Sequence, residues 1–356
     1  MSQPDLNHLP LLPQVGCPIA ICGAGGIVND AHLPAYRKAG FTVTGIYDQN
    51  SAAAQRTAQR FEIPKVYESL EQLADDSDVS IIDIAVPATE TLGVVQSVVD
   101  AGKGLLIQKP LAEDLETAMA TAEIIEQAGV MAAVNQQMRW EPGVRAAQTL
   151  AVRGDLGEVF DISFSLFVNT PWHLWEWLKR KNTIDVLYHS IHYLDSIRFI
   201  AGREPVSLYC DGSSSPGYDA AGETRILLHL VFDGSLRATV RTNHHAAHGG
   251  EEGQRAEFRV DGTDGVAVRK MGLLMDYPKG VPDAFSYITA GTEWAHVDFA
   301  ETWFPDAFVG PVSSLMRAMA GEIEQPETGL RDNLKTLGLV FGAYESMRGG
   351  EVVKVD

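Results

Sequence analysis

The first 135 residues alternate between short apolar runs and helical patterns, and this alternation constrains the fold more than any other feature. The apolar runs are "PIAICG", "FTVTGIYD", "VSIIDIAVP", "GLLIQKP" and "VMAAVN", and amphipathic or alanine-rich segments of helical length separate them. Strands and helices that alternate at this spacing predict a parallel sheet with helices on both faces. No apolar run approaches the roughly 18–20 residues that cross a bilayer.

The pattern changes in the second part of the chain, with a boundary between Asn135 and Glu158. From "GDLGEVFDISFSLFV" onward, long alternating runs are separated by glycine turns, and the tail from "VSSLMRAMAG" is helical again. Such runs predict an antiparallel sheet with a helix or two on one face. The chain therefore reads as a mixed α/β protein with two domains.

Composition narrows the class of partner. The chain is 45% hydrophobic and 21% charged, and its formal net charge of −19 argues against a nucleic acid or an anionic membrane surface. The start lacks the basic segment and cleavage site of a secretory signal. Three cysteines, an odd count without metal spacing, fit a reduced cytosol. We therefore predict a cytoplasmic protein with a small-molecule partner.

The glycines of "ICGAGGIVNDAHLPAY" follow the first strand and precede a helix. In this context Gly23 permits a tight turn, and Gly25 lets the backbone approach a pyrophosphate at the helix N-terminus. Gly26 follows directly, but Val28 stands where a third glycine is usual. A bare tight turn is the alternative, and the next strand decides between the two.

The second strand ends at Asp48, 25 residues after Gly23. An acidic side chain at this place binds the ribose hydroxyls of a dinucleotide. Gln49 and Asn50 follow, so no Lys or Arg is present to meet a 2′-phosphate. The sequence predicts NAD as cofactor, with NADP less favoured.

Five motifs occur in a fixed order: "GAGGIVNDAHLPAY", "YDQNSAAAQRTAQRF", "AVPATET", "LIQKPLA" and "HSIHYLD". Together they resemble the Gfo/Idh/MocA family of sugar and inositol dehydrogenases, from about Pro18 to the closing "AYESMRGGEVVKV". The resemblance implies a Rossmann NAD-binding domain at 17–136, after a flexible leader at 1–16. It also implies an α+β domain at 137–356 for substrate binding and oligomerisation, with a large, mainly antiparallel open sheet. A homodimer or homotetramer is expected.

The resemblance also implies which residues contact the cofactor, with Pro87 beside the nicotinamide half. The candidates are Gly23, Gly25, Gly26, Ile27, Asp48, Pro87, Gln108 and Lys109.

The family's usual Glu-Lys-Pro is replaced here by Gln108-Lys109-Pro110. Lys109 resembles the catalytic lysine, which would hold the reacting hydroxyl and take its proton. Gln108 removes a negative neighbour, so we expect Lys109 to be neutral more readily than in its relatives. A plain Lys-Pro turn at a strand end is the alternative.

The stretch "TIDVLYHSIHYLD" places Asp185, Tyr188, His189 and His192 at i, i+3, i+4 and i+7, on one face of a helix. The family usually has Asp-x-x-x-His; His192 takes the histidine place and Tyr188 the aspartate place. We expect His192, Tyr188 and His189 to take part in catalysis, and Asp185, His189 and His192 to contact substrate. A core histidine is one alternative, and a metal site formed by Asp185, His189 and His192 is another. No zinc signature fits, so no metal is predicted.

Three further residues are candidates for substrate contact. Trp172 and Trp175, in "NTPWHLWEWLKRKN", have flat faces that suit a pyranose, although they could equally pack the sheet. Arg139 comes just past the last Rossmann strand. We interpret "NHHAAHGG", with His244 and His245, as an exposed loop after a strand, the alternative being a loop that reaches the substrate.

These features predict an enzyme, an NAD(P)-dependent dehydrogenase acting on CH–OH groups of a sugar, sugar derivative or polyol. Hydride would pass between the substrate carbon and nicotinamide, while Lys109 and His192 assist proton transfer. Two alternatives remain open. One is an NAD-dependent glycosidase of the same family that oxidises, eliminates and reduces again. The other is a non-catalytic NAD- or ligand-sensing protein on the same fold.

Overall fold

The computed structural model describes residues 5–277 and 279–355, so the first four residues of the predicted leader lie outside the described residues. Within the described chain, Cα proximity separates two compact units. The Rossmann unit comprises Pro10–Trp140 and Trp303–Lys335, and the mixed-sheet unit comprises the residues up to Leu9, Glu141–Thr302 and the chain from Thr336. The sequence-based boundaries 17–136 and 137–356 stay a prediction; a single cut does not provide for 303–335.

The regular elements alternate as the sequence pattern indicates. The helices of the described chain are α1 (Leu33–Ala39), α2 (Ser51–Phe61), α3 (Leu70–Asp75), α4 (Ala88–Val98), α5 (Leu115–Gln127), α6 (Pro142–Arg153), α7 (Ile191–Ala201), α8 (Val309–Met319) and α9 (Leu330–Gly349). Its strands are β1 (Ile19–Cys22), β2 (Val43–Tyr47), β3 (Lys65–Val66), β4 (Ile81–Ile84), β5 (Gly104–Gln108), β6 (Ala132–Asn135), β7 (Val159–Phe167), β8 (Ser207–Ser213), β9 (Arg225–Val231), β10 (Arg237–Asn243), β11 (Arg255–Gly262), β12 (Gly265–Lys270), β13 (Ala284–Thr289), β14 (Ala295–Val297) and β15 (Val353–Lys354).

The Rossmann unit is built on a parallel sheet, which confirms the first prediction. In the described residues this sheet has six strands in the order β3-β2-β1-β4-β5-β6. Every residue of β1 and of β4 is buried, because both faces of a parallel sheet are covered. This double burial explains the near-continuous apolar runs of the sequence. Cys22, the last residue of β1, is buried with them, and burial raises the pKa of its thiol to about 12.

Polar caps start the helices that follow these strands. The Asn50 side chain accepts the N–H of Ala53 at 3.2 Å at the start of α2. Asp114 accepts the N–H of Thr117 at 2.7 Å at the start of α5. Each cap satisfies one of the N–H groups that a helix leaves unpaired at its first turn.

The mixed-sheet unit contains the predicted sheet of mainly antiparallel strands. In the described residues it has nine strands in the order β14-β13-β12-β11-β7-β10-β9-β8-β15, and one pair, β7 with β10, is parallel. Buried and less buried residues alternate along β10 and β11, as expected for a sheet with one covered face. α7 packs on that face, where the Tyr193 ring stacks on Phe164 at a centroid distance of 5.3 Å.

A buried ion pair joins α6 to the sheet in the same unit. Arg269 of β12 pairs with Glu141, whose carboxylate also accepts the N–H of Val144 at 2.8 Å and so caps α6. Gly143 leaves room for the Arg269 side chain, because a Cβ there would collide with it. Of the helices that the structure describes, none is long and apolar enough to span a membrane.

Candidate cofactor and active site

The turn after β1 can be made only by glycine at its first position. Gly23 has φ +118°, and a Cβ there would collide with the backbone of Ala85. A Cβ on Gly25 would meet nothing within 4 Å, and both Gly25 and Gly26 are exposed. Gly23 is therefore required by the conformation of the loop, and Gly25 leaves open space beside the backbone. A pyrophosphate requires such open space next to backbone N–H groups.

Asp48 lies against this loop at the end of β2. Its Oδ2 accepts the N–H of Ala24 at 2.7 Å, and its Oδ1 accepts the N–H of Asn50 at 2.7 Å. The carboxylate is therefore fixed beside the glycines, where a ribose would follow a bound pyrophosphate. Ile27 begins a π-helical turn, Val28–His32, that leads into α1. These residues fit a dinucleotide.

Pro87 is exposed and stands at the start of α4, directly after β4 and Ala85. Thr91, on α4, is buried. The cofactor candidates thus follow β1, β2, β4 and β5, all at the carboxyl edge of one parallel sheet. Ligands bind at this edge in open α/β sheets.

Lys109 directly follows β5 at the same edge. Its pKa is lowered from the ordinary value of 10.5 to about 8, because burial penalises the charged ammonium. The direction agrees with the expectation from the sequence, but the cause is burial. That the Gln108 replacement contributes to this change stays a prediction.

The histidine segment differs from the single regular helix that the spacing predicts. Val186–Ser190 form a π-helical turn, and α7 begins only at Ile191. A π-turn holds more residues than an α-turn, so the shared face inferred from i, i+3, i+4 and i+7 does not hold across it. Tyr188 and His189 are half-buried, whereas His192 is buried in the first turn of α7.

Asp185 is fully buried at the start of this turn. Its carboxylate accepts the hydroxyl of Ser190 at 2.9 Å and also the hydroxyl of Thr242, and His244 Nε2 lies 3.1 Å away. Burial has the largest single effect and would raise the pKa of Asp185. The charges of His244 and His189 and the hydrogen bonds from His244 and Thr242 together outweigh it, so the pKa is held below its usual range. Asp185 is therefore an anion that fixes a histidine.

His244 is the functional candidate whose place the sequence interpretation missed. The interpretation of "NHHAAHGG" as an exposed loop was wrong for His244, which is 3% exposed. The strand β10 ends at Asn243, so the next side chain turns inward, where Thr170 Oγ1 lies 2.8 Å from His244 Nδ1. The imidazole centroids of His189 and His244 are 4.7 Å apart. The strand alternation of "RATVRTNHH", continued one step further, would have indicated this burial.

Trp172 packs edge-on against both of these histidines, at centroid distances of 5.8 Å and 5.7 Å. It forms a small core with Leu178 and Ile184, and Trp175 packs on the outside of that core. Trp172 therefore borders the histidine cluster, while Trp175 is partly exposed. Contact of either tryptophan with substrate stays a prediction.

Arg139 lies in the Rossmann unit and is engaged there. It is 6% exposed, donates to the carbonyl of Glu327 at 2.8 Å and pairs with Asp332. These partners anchor the turn after β6. Contact of Arg139 with substrate stays a prediction.

The geometry that would hold a metal involves a different trio from the one considered in the sequence. Ligand atoms of Asp185, His189 and His244 lie within 4.8 Å of one another in the described chain. His192 is not part of this group. The prediction that the protein uses no metal stays a prediction.

A glycine cradle and an adjacent acidic residue on a Rossmann sheet, with a lysine of lowered pKa after β5, define a nucleotide-dependent oxidoreductase. Residues 17–136 match the Gfo/Idh/MocA description "Oxidoreductase family, NAD-binding Rossmann fold", and residues 144–268 match the C-terminal domain of the same family. The chain belongs to the Gfo/Idh/MocA family, as predicted, and is an NAD-dependent dehydrogenase acting on CH–OH groups.

Named relatives agree with this assignment. The chain is 26% identical to a D-apiose dehydrogenase of Paraburkholderia graminis, over 93% of this chain and 88% of the relative. It is 24% identical to a scyllo-inositol 2-dehydrogenase (NAD(+)) of Bacillus subtilis, over 71% and 72% of the two chains. An oxidoreductase from Agrobacterium radiobacter, solved with NAD+, L-tartaric acid and magnesium, has the same fold, with a TM-score of 0.83, 21% identity and coverage of 96% and 99%.

Proposed function

We propose that the protein transfers hydride between NAD and a hydroxyl-bearing carbon of a sugar, sugar derivative or polyol, with Lys109 as proton acceptor and His192 assisting. The observation that carries the proposal is the lowered pKa of Lys109, about 8, at the carboxyl edge of the parallel sheet. A general base works best when its pKa lies near the operating pH. The relatives named for sugars and inositol support the substrate class.

The cofactor supplies the hydride acceptor, and the residues of the chain hold it and move the proton. Gly23 and Gly25 shape the phosphate cradle, and Asp48 receives the ribose hydroxyls. Lys109 in its neutral form takes the hydroxyl proton as the carbon is oxidised. In the mixed-sheet unit, Asp185 holds His244 in place, and the imidazoles of His189 and His192 offer hydrogen bonds to a polyol.

The test is turnover of purified protein with NAD and a broad panel of sugars, sugar acids and polyols, followed by NADH absorbance and by mass spectrometry of the products. We expect NADH to form with at least one polyol. Retained NAD with bond cleavage but no net NADH would favour the redox-neutral glycosidase. NAD binding without any product would favour the sensing protein.

Lys109→Met tests the assigned base. We expect kcat to fall by about 10²–10⁴-fold while NAD still binds. Lys38→Met, an exposed lysine of the same unit, is the matched control and should keep full activity. Full activity in Lys109→Met would exclude Lys109 as the base. The oligomeric state and the cytoplasmic location stay predictions. The substrate panel would identify the sugar.

A further inference from the structure

A buried chain of hydrogen bonds runs beneath the carboxyl edge of the Rossmann sheet and ends at the backbone of Lys109. His32 is fully buried, with its Nδ1 2.6 Å from Asp83 Oδ2. Its other nitrogen, Nε2, lies 3.0 Å from the amide nitrogen of Gln108 and 3.1 Å from that of Asn135. Gln108 Oε1 in turn accepts the backbone N–H of Lys109 at 2.7 Å.

The backbone N–H of Lys109 determines which atoms donate and which accept hydrogen bonds from Gln108 through His32 to Asp83. A backbone N–H can only donate, so the Gln108 atom that faces Lys109 must be the amide oxygen. The Gln108 atom that faces His32 is then the NH₂ group, which also can only donate. His32 Nε2 must therefore accept, and the single ring hydrogen must be on Nδ1, from which it is donated to Asp83.

We propose that His32 and Asp83 are a positioning pair, with His32 neutral and its hydrogen on Nδ1, that orients Gln108 and through it the backbone of Lys109. This inference rests on the proposed role of Lys109. The positioning role requires no contact with substrate from the pair or from its two hydrogen-bond partners, Tyr36 and Gln108. They act on the base by fixing where its main chain lies.

The surroundings of His32 support the neutral form. Tyr36 donates its hydroxyl to the same Asp83 oxygen at 2.8 Å, and burial raises the pKa of this phenol well above its usual range, so Tyr36 stays a donor. The ring of Phe308 lies 5.2 Å from the imidazole centroid. Among the described residues, Asp83 and Tyr36 are the titratable groups beside His32, and an added proton on Nε2 would face the NH₂ group of Gln108.

The same logic applies to residue 108, where this chain departs from the family's usual glutamate. A glutamate at this position would offer the Lys109 N–H an acceptor, but it would also present an acceptor to His32 Nε2. The imidazole would then need a second hydrogen and would become a cation between two carboxylates. Residue 108 therefore sets the protonation state of His32.

The decisive measurement is the ring-nitrogen signature of His32 in ¹⁵N-histidine-labelled protein, by long-range ¹H–¹⁵N correlation near neutral pH. The chain has ten histidines, and loss of one signal set in His32→Asn assigns the resonance. If His32→Asn does not fold, substitution of the other histidines one at a time assigns the remaining signal set to His32. We expect a protonated Nδ1 and an unprotonated Nε2. A doubly protonated ring, or hydrogen on Nε2, in the unaltered protein would overturn the proposal.

The variant Gln108→Glu tests whether residue 108 determines the number of ring hydrogens on His32. We expect both ring nitrogens of His32 to carry hydrogen in this variant, with the protein folded because the side chains have the same shape. Gln127→Glu, an exposed glutamine of α5 in the same unit, makes the same charge change and should leave His32 neutral. An unchanged His32 signature in Gln108→Glu would contradict the link.

Kinetics connect the pair to Lys109. We expect Gln108→Glu to shift the pH dependence of kcat/KM. The NMR readout needs no activity, so a predicted tautomer in a protein without turnover would disprove the proposed function alone. Turnover with an unshifted pH profile in Gln108→Glu would disprove the positioning role alone.

Discussion

Lys109 is the residue on which the proposed chemistry depends, and its charge state makes a direct kinetic prediction. Its pKa is lowered to about 8, so the neutral base predominates above that pH and the ammonium below it. We expect kcat/KM for alcohol oxidation to rise with pH and level off above about 8. Carbonyl reduction needs the proton and should show the opposite dependence. A profile for oxidation that falls between pH 7 and 9 would contradict the assignment.

Asp185 is the second residue with a clear expected effect. It holds His244 and accepts hydroxyls from Ser190 and Thr242, so removal of its charge should misplace the histidine cluster. We expect Asp185→Asn to lower kcat/KM about tenfold or more, with steady-state kinetics and thermal melting measured together. Asp211→Asn, an exposed aspartate of β8, should change neither. Equal activity of the two variants would remove Asp185 from the site.

At the scale of elements, the two glycines of the turn after β1 have different roles: one is required by the backbone conformation, and the other leaves space for the ligand. Gly23→Ala should destabilise the protein and abolish NAD binding, because a Cβ collides with Ala85 and the residue has φ +118°. Gly25→Ala should fold normally, since its Cβ meets open space, yet bind NAD at least about tenfold more weakly.

Gly93, in the middle of α4, is the matched control for these two substitutions. A Cβ there also meets nothing within 4 Å, and alanine favours a helix by about 1 kcal/mol. Gly93→Ala should therefore be neutral or slightly stabilising with unchanged NAD affinity. Calorimetric titration with NAD measures all three variants, and normal binding by Gly25→Ala would show that no phosphate passes close to that residue.

Most elements could be predicted from the sequence, because hydrophobic periodicity and glycine turns are local signals. The π-turn at Val186–Ser190 could not, since it depends on distant groups. Glu223 accepts the N–H groups of Ile184 and Val186, and the hydroxyl of Tyr344 accepts the N–H of Leu187. A pattern of i, i+3 and i+4 spacing contains no information about partners tens of residues away. The burial of His244, in contrast, had a local signal, the alternation along β10, which the interpretation did not continue past Asn243.

At the scale of the whole molecule, NAD should stabilise the protein by linkage. A ligand that binds only the folded state at 100 times its dissociation constant adds about 2.7 kcal/mol to the free energy of unfolding. We expect NAD to raise the melting temperature more than NADP at equal concentration, because Asp48 would repel a 2′-phosphate. Asp48→Ala should reduce the NAD shift, and a larger shift with NADP in the unaltered protein would reverse the cofactor assignment.

The net charge of −19 does not conflict with a polyol or an anionic sugar as substrate. Within the Rossmann unit, Lys109 supplies a local positive charge below a pH of about 8. Charge over the whole surface governs solubility and association, whereas substrate choice depends on a few side chains.

Each of the two units contains a buried thiol whose rate of chemical modification reports how often its strand opens. Cys22 ends β1 of the Rossmann unit and Cys210 lies in β8 of the mixed-sheet unit; both are 1% exposed, and burial raises the pKa of each thiol. A disulfide reagent can modify such a thiol only during a transient opening of the strand that carries it. The labelling rates of the two thiols, measured by peptide mass spectrometry, would therefore give the opening rate of each sheet separately. One sample is enough, and no engineered probe is needed.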